Sequence, residues 1–399
     1  MTGQAQADAR SAPFSDLKVI EIAEDPAGEM TGYLLALSGA HVTKLEGPQG
    51  SPSRRIGPFR DGAPDPEGSL AYWYYNSNKR SSRIDSRAAA DRPAFDAAIA
   101  DADILLTTLQ PAALEAAGLD LEAIAAAHPA LIVLSVTAYG LTGPRKDWKT
   151  SELVALAGGG PLHQCGYDDH TIPPILPGGN QAYHIASSFA LKAVLIALIE
   201  RQLSGQGQIV DVSMHEACAV TVELGNPYWF YPKAIVQRQT CRQAQPTPTQ
   251  PTLFECADGR YIILPLMLSE KKAWSTLVEW LDSKGLAAQL VEADYQDPAF
   301  RRDNFSDVQL VLECFFLTQM ADDVFHEGQA RGLPVGVVQA PEELFEDRHL
   351  NARNFFAEVE HDGLGKVRYP GAPFWFSGFD LDRRSRAPHL GEHDGETRP

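Results

Sequence analysis

The sequence predicts an α/β protein: a large domain built on a parallel, doubly wound sheet, with a smaller α+β domain after it. Three observations carry this. Apolar, strand-like runs alternate with helix-length segments through the N-terminal half, the signature of βαβ units. A polar, Pro-rich stretch, QRQTCRQAQPTPTQPT at 237–252, breaks the composition and reads as a linker or long loop. Beyond it come a hairpin pattern, further helices and a β-like tail.

Taken in order, KVIEIA (18–23) is a short apolar strand closed by the turn Asp25-Pro26-Ala27-Gly28. Helical spacing over 29–38 stops at Gly39. HVTKLE (41–46) is the second strand and RSSRID (80–85) a short third. DILLTT (103–108) and ALIVLSVTAY (130–139) are stronger strands, with helices near 91–101 and 112–127 around them. In such a sheet ligands sit at the carboxyl ends of strands. That points to the loops 24–29, 46–55, 72–80, 107–113 and 138–152. A long helix follows in GGNQAYHIASSFALKAVLIALIERQLSGQGQ (178–208), whose Ala182, Ile185, Ala186, Phe189, Ala190, Ala193, Val194 and Ala197 make one apolar stripe. QIVDVS (208–213) is a strand and 214–236 a helix. FECADGRYIIL reads as a hairpin turning at Asp-Gly. Helices near 269–281 and 305–330, a strand in LPVGVVQA and β-like KVRYPGAPFWFSG complete the chain.

Composition narrows the function. The chain has 399 residues and a net charge of -18, which argues against nucleic acid and anionic membrane surfaces as partners. Small anionic ligands remain open, because they feel only the local field. The five cysteines, Cys165, Cys218, Cys241, Cys256 and Cys314, are scattered with no C-x-x-C, so neither disulfides nor zinc are expected. The polar opening MTGQAQADARSA has no apolar signal core and is expected to fray. The apolar run of 182–199 is broken by His184, Ser187, Ser188 and Lys192, so no membrane span is expected and the protein is placed in the cytoplasm.

No G-x-G-x-x-G or P-loop is present. Gly158-Gly159-Gly160 reads as a turn after a helix, Asp168-Asp169-His170 as a surface turn rather than a dyad, and His389-x-x-x-His393 as a solvated tail rather than a metal site. Asn76-Ser77-Asn78-Lys79-Arg80, directly after Tyr72-Trp73-Tyr74-Tyr75, sets cations beside an aromatic shelf. That arrangement suits a nucleotide with phosphates, or else is a solvated basic loop on a buried aromatic patch.

In order, LKVIEIAEDPAGEMTGYLLALSGAHVTKLEGPQGSPSR, NSNKRSSRID, ADILLTTLQPAALEAAGLD, KTSELVALAGGG, ALIERQLSGQGQIVDVSM, GLPVGVVQ, ELFEDRHLNARNFFAEVEH, GAPFWFSGF and APHLGEH resemble the family III CoA transferases over nearly the whole chain. That family includes formyl-CoA:oxalate and carnitine CoA transferases and the α-methylacyl-CoA racemases. The resemblance implies a Rossmann-like large domain over 14–222 and 345–399, whose sheet draws in the C-terminal tail. It implies linkers and a small domain over 223–344, and an interlocked dimer. It implies CoA thioesters and carboxylic acids as substrates, with no tightly bound cofactor and no metal. Lys79 and Lys149 match CoA-contacting positions, with Asn78 beside Lys79 and Arg54 in the loop after the second strand.

The family's transferases place a nucleophilic Asp at the start of the long helix, where backbone N–H groups hold an anion. Here that position falls at Ala182 or Tyr183, and no acid occurs from 171 to 199. Other departures accompany it. Pro26 stands where a Gln is frequent, Ala116 where an Arg holds CoA phosphate, and the expected Gly-rich loop near 240–252 is rich in Gln, Pro and Thr. The racemases' His–Asp pair matches Ser151 and Glu152. Three readings follow. The chain is the Asp-less subunit of a heteromeric CoA transferase of the succinyl-CoA:benzylsuccinate type, with the Asp on its partner. Or it is a self-sufficient transferase, lyase or isomerase using Glu152 or Asp168/Asp169. Or it is a non-catalytic acyl-CoA binder.

Overall fold

The computed structural model describes residues 12–222, 224–265, 270–381 and 385–397. Residues 1–11 of the opening expected to fray and the first residue of the helix expected at 269 lie outside these. The chain divides into two compact units. The first takes the chain up to Pro161, Pro177–Thr221 and the chain from Arg348; the second takes Leu162–Leu176 and Val222–Asp347. Segment 162–176, expected in the large domain, thus groups with the second unit.

The first unit opens β1 (Lys18–Ile22), α1 (Pro26–Leu37), β2 (His41–Leu45), α2 (Leu70–Asn76), β3 (Arg80–Ser82), α3 (Arg92–Ala100) and β4 (Ile104–Thr107). It continues with α4 (Pro111–Ala116), α5 (Leu121–Ala127), β5 (Ile132–Thr137), α6 (Glu152–Gly159), α7 (Gln181–Ser204), β6 (Ile209–Ser213) and α8 (Met214–Val220). Six strands form the predicted parallel sheet in the order β3-β2-β1-β4-β5-β6. The order reverses between β1 and β4, the point at which sheets of this kind carry their ligand crevice at the carboxyl ends of the strands. Strands β4 and β5 are buried along their whole length. This is why they read as continuous apolar runs rather than alternating ones. The single helix expected over 112–127 is two, because Gly118 turns between α4 and α5 at φ 62°.

The buried face of α7 holds Ala182, Ala186, Ala190, Val194 and Ala197 of the predicted stripe together with Ser187 and Leu198, while Ile185, Phe189 and Ala193 are only half-buried. Its small side chains let the helix lie close, and the Ser187 hydroxyl donates to Ala27 O at 2.7 Å, tying α7 to α1. Gly205, at φ 76°, ends the helix with its N–H on Arg201 O at 2.8 Å. The Gly158–Gly160 run is the close of α6 and its left-handed cap rather than a separate turn.

The second unit contains α9 (Gly225–Phe230), β7 (Gln237–Gln239), β8 (Arg242–Gln245), β9 (Leu253–Glu255), β10 (Tyr261–Ile263), α10 (Lys271–Ser283), α11 (Pro298–Asp303), α12 (Phe305–Phe316), α13 (Ala321–Ala330) and β11 (Gly336–Val337). Its core packs Trp274, Trp280, Leu312, Phe315 and Phe316 against the predicted β9–β10 hairpin. The stretch expected as a linker forms the antiparallel pair β7–β8 instead. Buried Gln239 ties the pair and the loop beyond it: its Nε2 donates to Gln243 O at 3.1 Å, and its side-chain oxygen accepts from Thr249 N at 2.6 Å and Thr249 Oγ1 at 2.9 Å. Likewise 214–236 is not one helix but α8 and α9.

Back in the first unit, α14 (Arg348–Ala352) precedes β12 (Phe356–His361) and β13 (Gly365–Pro370), and α15 (Asp394–Thr397) ends the chain. Among the described residues β12 and β13 pair only with each other, so the β-like tail forms its own hairpin and adds no strand there to the main sheet. The last segment is docked rather than solvated. Asn78 N donates to Ser385 O at 3.2 Å and His393 N to Ser81 O at 2.9 Å. His389 Nδ1 lies 2.9 Å from Glu67 Oε2. Among the described residues no cluster of His, Cys, Asp and Glu is arranged to hold a metal.

Candidate active site

A cavity of about 310 Å³ opens at the carboxyl ends of β1, β4, β5 and β6. Its wall carries Asp25 and Ala27 after β1, Thr108 and Gln110 after β4, Val136–Ala138 along β5, Lys149 and Thr150, Tyr183 near the start of α7, and Met214 after β6. Three of the five loops picked out from sequence, 24–29, 107–113 and 138–152, therefore meet here. Glu24 N donates to Thr108 Oγ1 at 2.9 Å and holds the β1 and β4 loops together at the reversal.

Asp25 is the side chain that sequence reasoning passed over, having read it only as part of a turn. It caps α1: Oδ1 accepts from Ala27 N at 2.9 Å and Gly28 N at 3.2 Å. The signal was present in the sequence, since an Asp before a Pro at the first helical position is an N-cap pattern. Burial pushes its carboxyl up to about 7; the Gly28 and Ala27 amides pull the other way, and Glu29 adds to the rise. α1 can come this close because residue 28 has no side chain. A Cβ there would lie 2.3 Å from Thr108 Cγ2 and 2.7 Å from Ala23 Cβ.

The entrance of α7 carries no carboxylate. Ala182 is sealed in the packing, and Tyr183 presents its ring to the cavity. Burial raises the pKa of its phenol. Asn180, in the left-handed region at φ 55°, begins a short relay. Its Nδ2 donates to Tyr75 Oη at 2.8 Å, and Tyr75 Oη lies 3.0 Å from His184 Nε2. Burial keeps the His184 pKa low despite Glu152, which favours the neutral imidazole. Glu152 opens α6, and its Oε1 is buried without a hydrogen-bond partner among the described residues.

The cations expected at CoA are divided. Lys149 is exposed on the cavity wall and free to meet an anionic ligand. Lys79 is not: its ammonium is buried at 2.8 Å from Glu21 Oε2 and donates to Glu29 O at 2.8 Å and Asn76 Oδ1 at 2.9 Å. Lys44 shares the same interior network, at 3.0 Å from Glu21 and 2.9 Å from Glu29. Burial works against the Lys44 charge, yet the two carboxylates outweigh it and hold its pKa high. Arg54 is likewise consumed internally. It is fully buried, 2.8 Å from Glu46 and 3.0 Å from Glu67, donates to Tyr72 Oη at 2.6 Å, and stacks over the Tyr72 ring. Burial opposes the Glu46 charge, but Arg54 lowers its pKa to about 2. Asn78 binds the docked tail, its Oδ1 accepting from Ser385 N at 3.0 Å. Lys79, Arg54 and Asn78 are thus engaged within the packing of the unit, and of the aromatic run Tyr72 lies under Arg54 and Tyr75 bonds His184. Asp169 is an exposed turn residue of the second unit, bonded to Thr171, and Asp168 pairs with Arg242.

A sequence model described as CoA-transferase family III matches residues 14–394. The chain is 31% identical over 388 residues to the succinyl-CoA:(R)-benzylsuccinate CoA-transferase subunit BbsE of Thauera aromatica, covering 96% of this chain and 93% of that one. It is 29% identical to the succinyl-CoA–L-malate CoA-transferase alpha subunit of Chloroflexus aurantiacus, covering 92% of this chain and 83% of the relative. It is 27% identical to the formyl-CoA:oxalate CoA-transferase of Streptomyces avermitilis, over 95% of this chain and 93% of the relative. A crystal structure of a CAIB/BAIF family protein from Brucella suis superposes with a TM-score of 0.84 at 24% identity, over 97% of this chain and 98% of that one, so the fold is shared.

Proposed function

We propose that this chain, which belongs to CoA-transferase family III, is a CoA-transferase subunit that passes CoA from an acyl-CoA such as succinyl-CoA to a carboxylic acid. It works beside a homologous, interlocked chain that supplies an Asp nucleophile. The observation that carries this reading is the α7 entrance: Ala182 is sealed, Tyr183 is a phenol, and no acid occurs from 171 to 199. The relatives add support, since BbsE and the malate enzyme's alpha and beta chains are named as subunits. Substrate enters as a CoA thioester, with Lys149 as its anchor at the cavity.

A second reading, that the chain turns over acyl-CoA by itself, is favoured by one observation: a carboxyl, Asp25, does line the cavity. Co-expression with homologues that carry Asp at the α7 entrance tests the first reading. The expected result is a 1:1 complex that exchanges CoA between succinyl-CoA and a carboxylic acid. That exchange should be lost when the partner's Asp is changed to Ala. A homodimer with full exchange and no partner would replace the first reading with the second.

A further inference from the structure

We infer that the loop leaving β5 is the seat for the nucleotide end of the CoA thioester, with Trp148 under the adenine ring and Arg145 and Lys146 on the phosphates. The inference rests on the CoA-transferase reading above and names, within it, the residues that hold the part of the substrate that does not react.

Size sets the problem. A cavity of about 310 Å³ is at the small end of what encloses one drug-sized ligand, and an acyl-CoA, with its adenosine and phosphate groups, is far larger. The reacting end fits inside, and the nucleotide must lie against the surface outside. Its phosphates need cations, on a chain whose net charge is -18. Lys44, Lys79 and Arg54 are committed to buried carboxylates and are closed to it.

The stretch GPRKDWK, residues 143–149, meets the need. It sets Arg145, Lys146 and Lys149 against a single acid, Asp147. All three cations are exposed, and none forms an ion pair among the described residues. The Asp147 carboxylate is turned onto the start of α4, where Oδ1 accepts from Ala112 N at 2.8 Å. Gln110 Nε2 donates to Trp148 O at 3.1 Å, and Trp148 N donates to Arg145 O at 2.9 Å. These bonds fix the loop beside the cavity mouth, because Gln110, Lys149 and Thr150 are themselves part of its wall.

Trp148 adds an aromatic surface. Tryptophan is well buried on average, yet this ring is 56% exposed. It is held in place all the same. Tyr139 meets it edge-on at a centroid distance of 6.3 Å, and the Arg145 guanidinium lies over it at 5.2 Å. An indole held open to solvent stacks a purine. The guanidinium fork beside it suits the phosphate carried by the same nucleoside. A small acid without a base would use the cations and leave the ring idle. A nucleotide uses both.

The test is calorimetry on the full chain with two probes, CoA and succinyl-pantetheine, which lacks the nucleotide. The variants are Trp148→Ala, Trp148→Phe and the double change Arg145→Ala/Lys146→Ala. All three positions are exposed, and circular dichroism checks that each variant keeps its fold. The expected result is CoA binding weakened about tenfold or more by Trp148→Ala and by the double change, with succinyl-pantetheine binding unchanged. Trp148→Phe keeps a stacking face and should recover most of the lost affinity. CoA affinity that is unchanged in every variant, or lost equally for both probes, would overturn the seat and leave the CoA-transferase reading intact. Trp148→Phe binding no better than Trp148→Ala would overturn the stacking role. A chain that binds neither probe would overturn both the seat and the reading beneath it.

Discussion

Lys79 is only 3% exposed, with its ammonium between Glu21 and the Asn76 side chain, whereas Lys149 lies open on the cavity wall. The two should therefore answer differently to the same substitution. Lys79→Ala leaves Glu21 with one buried partner where it had two, and breaking a buried pair costs about 3–5 kcal/mol. A urea unfolding curve should show the loss directly. Lys149→Ala should leave that curve in place and weaken CoA binding about tenfold or more, because a charge-assisted contact to phosphate is worth about 1.5–3 kcal/mol. Calorimetry with CoA reads it, and unchanged affinity would remove Lys149 from the site. Asp25 adds a pH signature. Its carboxyl rises from an ordinary 3.8 to about 7 in the folded chain, so the folded state holds the proton more tightly than the unfolded one. That contribution is complete below the unfolded value and is lost as pH climbs through the folded one. Asp25→Asn removes it, so the variant should gain stability relative to the parent between about pH 4 and about pH 8. Denaturation midpoints that stay parallel across that range would contradict the raised carboxyl.

At the scale of elements, α1 is placed by what residue 28 lacks. Gly28→Ala puts a Cβ into Thr108 and Ala23, side chains of a packed layer with nowhere to retreat. Overpacking of this kind costs about 1–3 kcal/mol. It also pushes the α1 N-terminus, and Asp25 with it, off the β4 loop, so substrate turnover should fall further than stability alone explains. A Gly28→Ala variant with wild-type kcat/KM would show that the α1 position does not matter to the chemistry. The same element shows what sequence could and could not give. The parallel sheet was legible because its strands are buried on both faces and read as apolar runs. Lys79 and Arg54 read as ligand cations because a sequence displays a charge without its counter-charge: Glu21 lies 58 residues from Lys79. Asp25 was hidden by its turn context. The β7–β8 pair was missed because buried Gln239 holds it through side-chain amide bonds, which no apolar pattern announces.

At the scale of the whole molecule, the outer face of α7 is the feature that the single chain does not use. Ile196, Ile199 and Leu203 are 69%, 60% and 85% exposed, and their spacing sets them on one side of the helix away from the buried alanine stripe. Isolated exposed leucines need no explanation, but an aligned apolar stripe on a helix packed along its other side is interface material. If an interlocked homologous chain covers it, as proposed, each of these side chains gains about 1.5–3 kcal/mol on burial. Replacing two of them by Glu removes that gain and adds the cost of burying charge, which together weaken association at least about a hundredfold. The double variant Ile199→Glu/Leu203→Glu should therefore shift the assembly toward single chains in native mass spectrometry, with circular dichroism unchanged because neither residue faces the core. CoA exchange should fall in step with the loss of assembly if the nucleophile comes from a partner. It should persist in the separated chain if the chain turns over acyl-CoA by itself. Assembly that resists both charges would place the partner contact elsewhere on the chain.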